Sequence, residues 1–222
     1  MTAKDAISSQ IEALNGEMTI GESIDRLCIA VERRGPLPVV DDSGRYLGMA
    51  DASALGAPRG SLLGNLANGT RPMSASSPVS LLLERMAAGE TVIPIVDDVS
   101  SEMYIGAADR ESAMRMAASL FPQLDDYTEL TVVCPSGEYS ASAIAHAVED
   151  ADAHLLNLNV VAGTQPNSPT TVILRVNHSR GDSVARSLAR YGYDTVEMAG
   201  TPGLLNADMI ERVNSLLHYL EV

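Results

Sequence analysis

Apolar positions along the chain alternate between a helical rhythm and short strand-like runs. Ile20, Ile24, Leu27, Cys28 and Val31 recur at helical spacing. Thr19-Ile20-Gly21-Glu22 has the S/T-x-x-E form of a capping box, and Gly35 stands where that helix should end. Two apolar runs follow around Val39-Val40 and Tyr46–Met49, joined by the turn-forming Asp41-Asp42-Ser43-Gly44, which predicts a hairpin. A short helix is expected around Ala52–Leu55. The same order then recurs. Ser77-Pro78 supplies an N-cap and a proline at the first helical position, Val79, Leu82, Leu83 and Met86 form the stripe, and Gly89 closes it. A second hairpin and a helix around Arg110–Ala118 complete this copy.

The recurrence extends to residues. Leu37-Pro38-Val39-Val40-Asp41-Asp42 is answered by Ile93-Pro94-Ile95-Val96-Asp97-Asp98 at an offset of 56. Tyr46-Leu47-Gly48-Met49-Ala50-Asp51 is answered by Tyr104-Ile105-Gly106-Ala107-Ala108-Asp109 at an offset of 58, the difference falling in the turn near Val99–Met103. This is a duplicated unit.

After Phe121-Pro122-Gln123-Leu124-Asp125-Asp126, a break in the pattern, the rhythm changes. Leu130–Cys134 is strand-like, Pro135–Tyr139 is a turn, and Ser140 caps a helix carrying Ile144, Ala147, Val148 and Ala151. Strands are expected at Leu155–Val161 and Thr171–Val176, around a Gly163–Asn167 loop. Asp182 is placed to cap a helix through Val184, Leu188 and Tyr191, and Tyr193–Met198 forms the last strand. The β-α-β-β-α-β order is the ferredoxin-like pattern. In the tail, Asn206 precedes a stripe of Met209, Ile210, Val213, Leu216, Leu217 and Leu220, an apolar face that must pack on the chain or on a partner.

Charge narrows the function. Fifteen Lys plus Arg stand against 29 Asp plus Glu, for a net charge of −14, and Lys4 is the only lysine. Such a chain does not neutralise a run of phosphates, so nucleic acid and anionic membrane surfaces are excluded as general partners. No P-loop or GxSxG string occurs. With 45% hydrophobic and 4% aromatic residues, the core is aliphatic. No run approaches the ~20 apolar residues of a membrane span. The first six residues lack a signal-peptide core. Cys28 and Cys134 form no CxxC pair, and a cytoplasmic location is expected.

The duplicated unit resembles a CBS-domain pair, in which a helix leads to an L-P-V-V-D strand, a short turn, and G-hydrophobic-hydrophobic-T/S-x-x-D before a second helix. Leu37–Asp41 with Gly48-Met49-Ala50-Asp51 fits the first motif, and Ile93–Asp97 with Gly106-Ala107-Ala108-Asp109 the second. The C-terminal part looks like an ACT domain, with Pro135-Ser136-Gly137 as its P-x-G-like turn. The whole order is similar to bacterial CBS–ACT proteins of the acetoin-utilisation type. The resemblance implies an adenosine-containing ligand in the cleft between the motifs, with Mg²⁺ if it is a triphosphate, and an amino acid or other small effector at the ACT part. It also implies a homo-oligomer, most simply a dimer.

The sequence departs from that pattern. The phosphate-facing Thr/Ser is replaced by Asp51 and Asp109, and the ribose-binding Asp by Ala54 and Ser112. Acid beside phosphate is repulsive unless a cation intervenes. Ser112 keeps a hydroxyl that can reach a ribose; Ala54 does not. Asp51 and Asp109 also suit helix capping, which needs no ligand. The Asp41-Asp42 and Asp97-Asp98 pairs read as turn residues rather than an acid–base or metal pair. Arg71 and Arg33-Arg34 are the candidates to meet a phosphate, against a solvated loop or helix end. His146 and His154 have no metal-ligand spacing. Ser136-Gly137-Glu138 offers backbone N–H groups to a carboxylate, or is a simple turn.

The expectation is therefore an α/β (α+β) protein: CBS motif 1 over 1–60, CBS motif 2 over 61–120, a linker over 121–128, an ACT-like domain over 129–200 and a helical tail over 201–222. It acts as a regulator and not as an enzyme, and no cofactor is required. The candidate cleft residues are Gly35, Leu37, Pro38, Asp51, Arg71, Val92, Ile93, Pro94, Asp109 and Ser112. The candidate effector-turn residues are Ser136, Gly137, Glu138 and Tyr139. The alternative is an oligomeric interaction scaffold with degenerate sites.

Overall fold

The computed structural model describes residues 1–33, 35–122, 124–135, 138–161, 168–177 and 181–200. The expected tail helix over 201–222, the 163–167 loop, Arg34, and the Ser136 and Gly137 positions lie outside these. The chain divides into two compact units, Met1–Ser119 and Leu120–Val222.

In the N-terminal unit each copy runs strand, helix, hairpin, helical turn. The first comprises β1 (Leu14–Asn15), α1 (Ile20–Arg33), β2 (Leu37–Val40), β3 (Tyr46–Ala50) and a 3₁₀ turn at Ala52–Gly56, followed by the short α2 (Leu63–Leu66). The second comprises β4 (Met73–Ser74), α3 (Val79–Ala87), β5 (Val92–Val96), β6 (Tyr104–Asp109) and α4 (Arg110–Ser119). Each copy makes a three-stranded sheet, β1-β2-β3 and β4-β5-β6, with the leading strand parallel and the hairpin antiparallel. The capping box at α1 forms as its sequence predicts: the Thr19 hydroxyl accepts from the Glu22 N–H at 3.3 Å, and the Glu22 carboxylate accepts from the Thr19 N–H at 2.8 Å. In the first hairpin turn the Asp41 carboxylate accepts from the Ser43 and Arg45 N–H groups. β1 and β4 have two residues each, too short to give a periodic signal. The N-cap of α3 is Pro78 rather than Ser77, because Pro78 is extended (φ −63°, ψ 144°) and bridges to Thr2.

The two copies are joined by matching bonds. The Tyr46 N–H donates to the Glu102 carbonyl at 2.9 Å, and the Tyr104 N–H donates to the Gly44 carbonyl at 3.0 Å. Each copy is also strapped by the segment that leads into the other. Asn68, upstream of β4, exchanges both backbone bonds with Met49 of β3 at 2.8 and 3.0 Å. Ser8, upstream of β1, donates its N–H to Ala107 of β6 at 2.9 Å. The equivalent glycines make room for these straps. A Cβ at Gly48 (φ +153°) would run into the Asn68 carbonyl oxygen, and one at Gly106 would stand 2.5 Å from Ile7 Cγ2. Ala3 and Ala6, the first and last residues of a 3₁₀ turn, and Ile7 just after it pack into the core of the second copy with Leu82, Ile93, Ile95 and Ala108.

The C-terminal unit has β7 (Thr128–Cys134), α5 (Ala141–Glu149), β8 (Leu155–Val161), β9 (Thr170–Val176), α6 (Gly181–Arg190) and β10 (Thr195–Gly200). The sheet is antiparallel in the order β10-β7-β9-β8. Leu130, Val132, Val172 and Leu174 are buried with Ile144, Val148, Val184 and Leu188 of the helices, as period-2 strands and amphipathic helices require. Ser140 caps α5, its hydroxyl accepting from the Ala143 N–H at 3.3 Å. Asp182 lies inside the first turn of α6, since that helix starts at Gly181, and pairs with Arg186 at 3.0 Å. The last strand starts at Thr195 because Tyr193 turns inward, its hydroxyl accepting from the Ser140 N–H at 2.9 Å.

The segment expected as a linker is held on this unit. Arg175 donates to the Pro122 carbonyl at 3.1 Å, pairs with Glu129 at 3.0 Å, and sits 4.3 Å from the Tyr127 ring centroid and 5.9 Å from that of Phe121. Asn157 donates to the Leu120 carbonyl at 2.8 Å.

Gly48→Ala should lower stability by about 1–3 kcal/mol, the usual cost of overpacking, read from the urea midpoint. Arg175→Ala should speed amide exchange across Leu120–Tyr127 while leaving β5 and β6 protected.

Candidate functional site

The residues of the duplicated motif are mostly placed inside the N-terminal unit rather than at its surface. Pro38 is buried, and Leu37, Val92 and Ile93 are 6%, 2% and 0% exposed. Pro94 is buried on β5 opposite Ala107. Val92 pairs with Asp109 across the second hairpin, and Leu37 pairs with Ala50 next to Asp51 across the first. Gly35 (φ +108°) lies against Thr91 and Val92, so the turns leading into β2 and β5 touch.

Each of the two acids caps the helical element after it and holds a strap. The Asp51 carboxylate accepts from the Ser53 N–H at 2.8 Å and from the Asn68 side-chain amide at 3.0 Å. The Asp109 carboxylate accepts from the Ser112 N–H at 2.8 Å and from the Ser8 hydroxyl at 3.0 Å. Ser112 bonds back to the backbone of Asp109, its hydroxyl accepting from that N–H at 3.0 Å and donating to that carbonyl at 2.9 Å. Asp109 and Ser112 are 5% and 3% exposed, and Ala54 is 3% exposed. The strap partners Ser8 and Asn68 were not legible as site residues, since Ser8 lies 101 residues from Asp109 and no local pattern spans that distance.

Arg71 is separated from these residues in kind: it is exposed and lines an open groove of about 580 Å³. The lining also includes Thr70, Pro72, Met73, Ser74 and Ser77, Leu81 and Arg85 of α3, Glu90 just beyond that helix, and Val99 of the second hairpin turn. Arg85 forks onto Glu90, with Nε to Oε1 at 2.7 Å and Nη2 to Oε2 at 2.6 Å, and also donates to the Arg71 carbonyl at 2.8 Å. The Tyr46 hydroxyl donates to the Thr70 carbonyl at 2.9 Å. Burial raises the phenol pKa of Tyr46 and Tyr104 above the ordinary value. The Tyr104 hydroxyl is buried without a hydrogen-bond partner among the described residues. Arg85 and Glu90 straddle Gly89 at the end of α3, a spacing that gave no signal in the sequence.

In the C-terminal unit Glu138 is exposed and Tyr139 half-buried. Burial, then Glu138, raise the Cys134 thiol pKa, so this cysteine is not a thiolate at neutral pH. His146 is exposed, 3.9 Å from Glu149. The side chain of Arg33 and the Arg34 position lie outside the described residues. Among the described residues no three His, Cys, Asp or Glu side chains converge on a point, and no helix is long and apolar enough to cross a membrane.

No protein-family model matches the chain, and no curated protein matches it. Solved structures do. The CBS domains of a transcriptional regulator from Streptococcus pneumoniae are similar at 16% identity and a TM-score of 0.45, over 52% of this chain and 98% of that one. A CBS domain pair/ACT domain protein from Thermotoga maritima is similar at 16% identity and a TM-score of 0.47, over 55% of this chain and 100% of that one. The CBS-pair protein CBSX2 from Arabidopsis thaliana is similar at 17% identity and a TM-score of 0.44, over 55% and 98%.

The Asp51 geometry sets a pH response. Hydrogen bonds from Ser53, and then from Asn68, lower its pKa below the ordinary 3.8. A carboxylate with a depressed folded-state pKa adds stability above its unfolded pKa and loses it as pH falls through the folded one. Asp51→Asn should therefore flatten the acid limb of stability below about pH 4, and leave the slope near neutrality unchanged, in urea titrations across pH.

Proposed function

We propose that the chain is a non-catalytic regulatory protein whose N-terminal unit senses a small molecule of the adenosine-containing class, with the Arg71 groove as the place where its acidic group is met. The observation that supports this most directly is the groove itself, an open volume lined by the exposed Arg71. A ligand seated there acts by binding one arrangement of the copies better than another. Thr70 is held by Tyr46 of the first copy and Arg71 by Arg85 of the second, so that stretch belongs mechanically to both.

The C-terminal unit is proposed as an ACT-like effector domain, on the strength of its β-α-β-β-α-β order and of the turn before α5. Association into a homodimer is proposed from the apolar stripe Met209–Leu220. A second reading, an interaction scaffold without ligand, is favoured by Ala54 and by the engagement of Asp109 and Ser112 in a cap.

Thermal unfolding against adenine compounds and amino acids separates the two. A ligand at ~100 times its dissociation constant adds about 2.7 kcal/mol to stability, and an adenine compound should raise the midpoint accordingly. No shift from any compound at millimolar concentration supports the scaffold.

A further inference from the structure

We infer that the groove between the Thr70–Ser77 segment and α3 takes a small organic anion with one acidic group, a phosphomonoester or a carboxylate, on Arg71, and that it rejects polyphosphates. This rests on the sensor reading above and gives the ligand a charge class.

The groove contains three charged side chains, Arg71, Arg85 and Glu90. Two of them cancel. Arg85 and Glu90 form a bidentate pair with side chains 19% and 34% exposed, and the same guanidinium is further committed to the Arg71 carbonyl. The Arg71 guanidinium has no hydrogen-bond or ion-pair partner among the described residues. One uncommitted positive charge therefore faces the groove, in the planar fork that suits a carboxylate or a phosphate.

Its base is fixed beforehand. Consecutive carbonyls, Thr70 and Arg71, are held at 2.9 and 2.8 Å by Tyr46 and Arg85, so the backbone carrying the guanidinium needs little ordering on binding. The remainder of the groove suits an amphipathic body. Leu81 and Val99 are 42% and 49% exposed, Pro72 and Met73 add further apolar lining, and Ser74 and Ser77 add hydroxyls. Its volume of about 580 Å³ is that of a small-molecule site. A polyphosphate is different. It brings several negative charges to one guanidinium, beside Glu90, in a chain of net charge −14, and that excess is unpaired unless a cation accompanies it.

Calorimetric titration of the full chain tests this with AMP, phenylacetate, adenosine, and ATP with and without Mg²⁺. AMP or phenylacetate should bind at least tenfold tighter than adenosine and than Mg²⁺-free ATP. AMP alone identifies a phosphomonoester source, phenylacetate alone a carboxylate source. Arg71→Gln should abolish that tenfold preference without moving the unliganded unfolding midpoint. Glu90→Gln, which frees Arg85, should improve ATP relative to AMP. Binding indifferent to Arg71→Gln overturns the charge class and the Arg71 placement together, and leaves standing only that the chain binds a small molecule. Mg²⁺-free ATP binding as tightly as AMP overturns the charge class and leaves the sensor reading standing. Silence from every probe overturns both.

Discussion

The N-terminal unit depends on one arrangement: each copy of the motif is closed by the segment that belongs to the other. Asn68 pairs with β3 of the first copy and Ser8 with β6 of the second, and Gly48 and Gly106 exist where a side chain would block those straps. The matching Tyr46 and Tyr104 amide bonds then lock hairpin to hairpin. A motif of this size buries too little apolar surface to be secure alone. The exchange makes the pair, and not the single copy, the unit that folds, which is why Val92, Val96 and Ala107 of the second copy share a core with Leu37 and Val39 of the first.

The acids acquire their meaning from that arrangement. In sequence, Asp51 and Asp109 stand where the motif that the duplicated unit resembles has a small hydroxyl, which reads as a ligand site gone acidic. In the structure each carboxylate caps the element after it and receives a strap residue, Asn68 or Ser8. Hydrogen bonds from Ser53, and then from the strap residue Asn68, also lower the Asp51 pKa. Negative charge that would repel a phosphate is thereby engaged inside the fold, and the one uncommitted guanidinium of the groove lies apart from it, at Arg71.

What was legible in the sequence followed from locality. The capping box Thr19–Glu22, the hairpin turn at Asp41, the Ser140 cap and the alternating strands β7 and β9 are each decided within a few residues and form close to where expected. The parallel strands β1 and β4 give no sequence signal because two residues carry no period, and Asp182 is the second helical residue rather than the cap because the helix opens on Gly181. The groove was half legible. Arg71 stood out as a basic residue beside a proline. Its companions Arg85, Glu90 and Val99 come from a helix end and a turn that only tertiary packing brings together. The docking of Phe121 and Tyr127 on Arg175 likewise depends on a partner some fifty residues downstream, invisible to any window reading of a Pro-containing break.

The strap at Ser8 has a consequence for how the chain is made. Its partner, Asp109, lies 101 residues later, so Ser8 is synthesised well before the strand that receives it. At roughly 5–20 residues per second, Ala3, Ala6 and Ile7 wait on the order of 5–20 s before the pocket that receives them exists. The first copy meets no such delay, since Asn68 follows β3 within about twenty residues. Synthesis and topology together thus impose a sequence of events, first copy, then second, then the strap, in which the slow step is the long-range closure of Ser8 on β6.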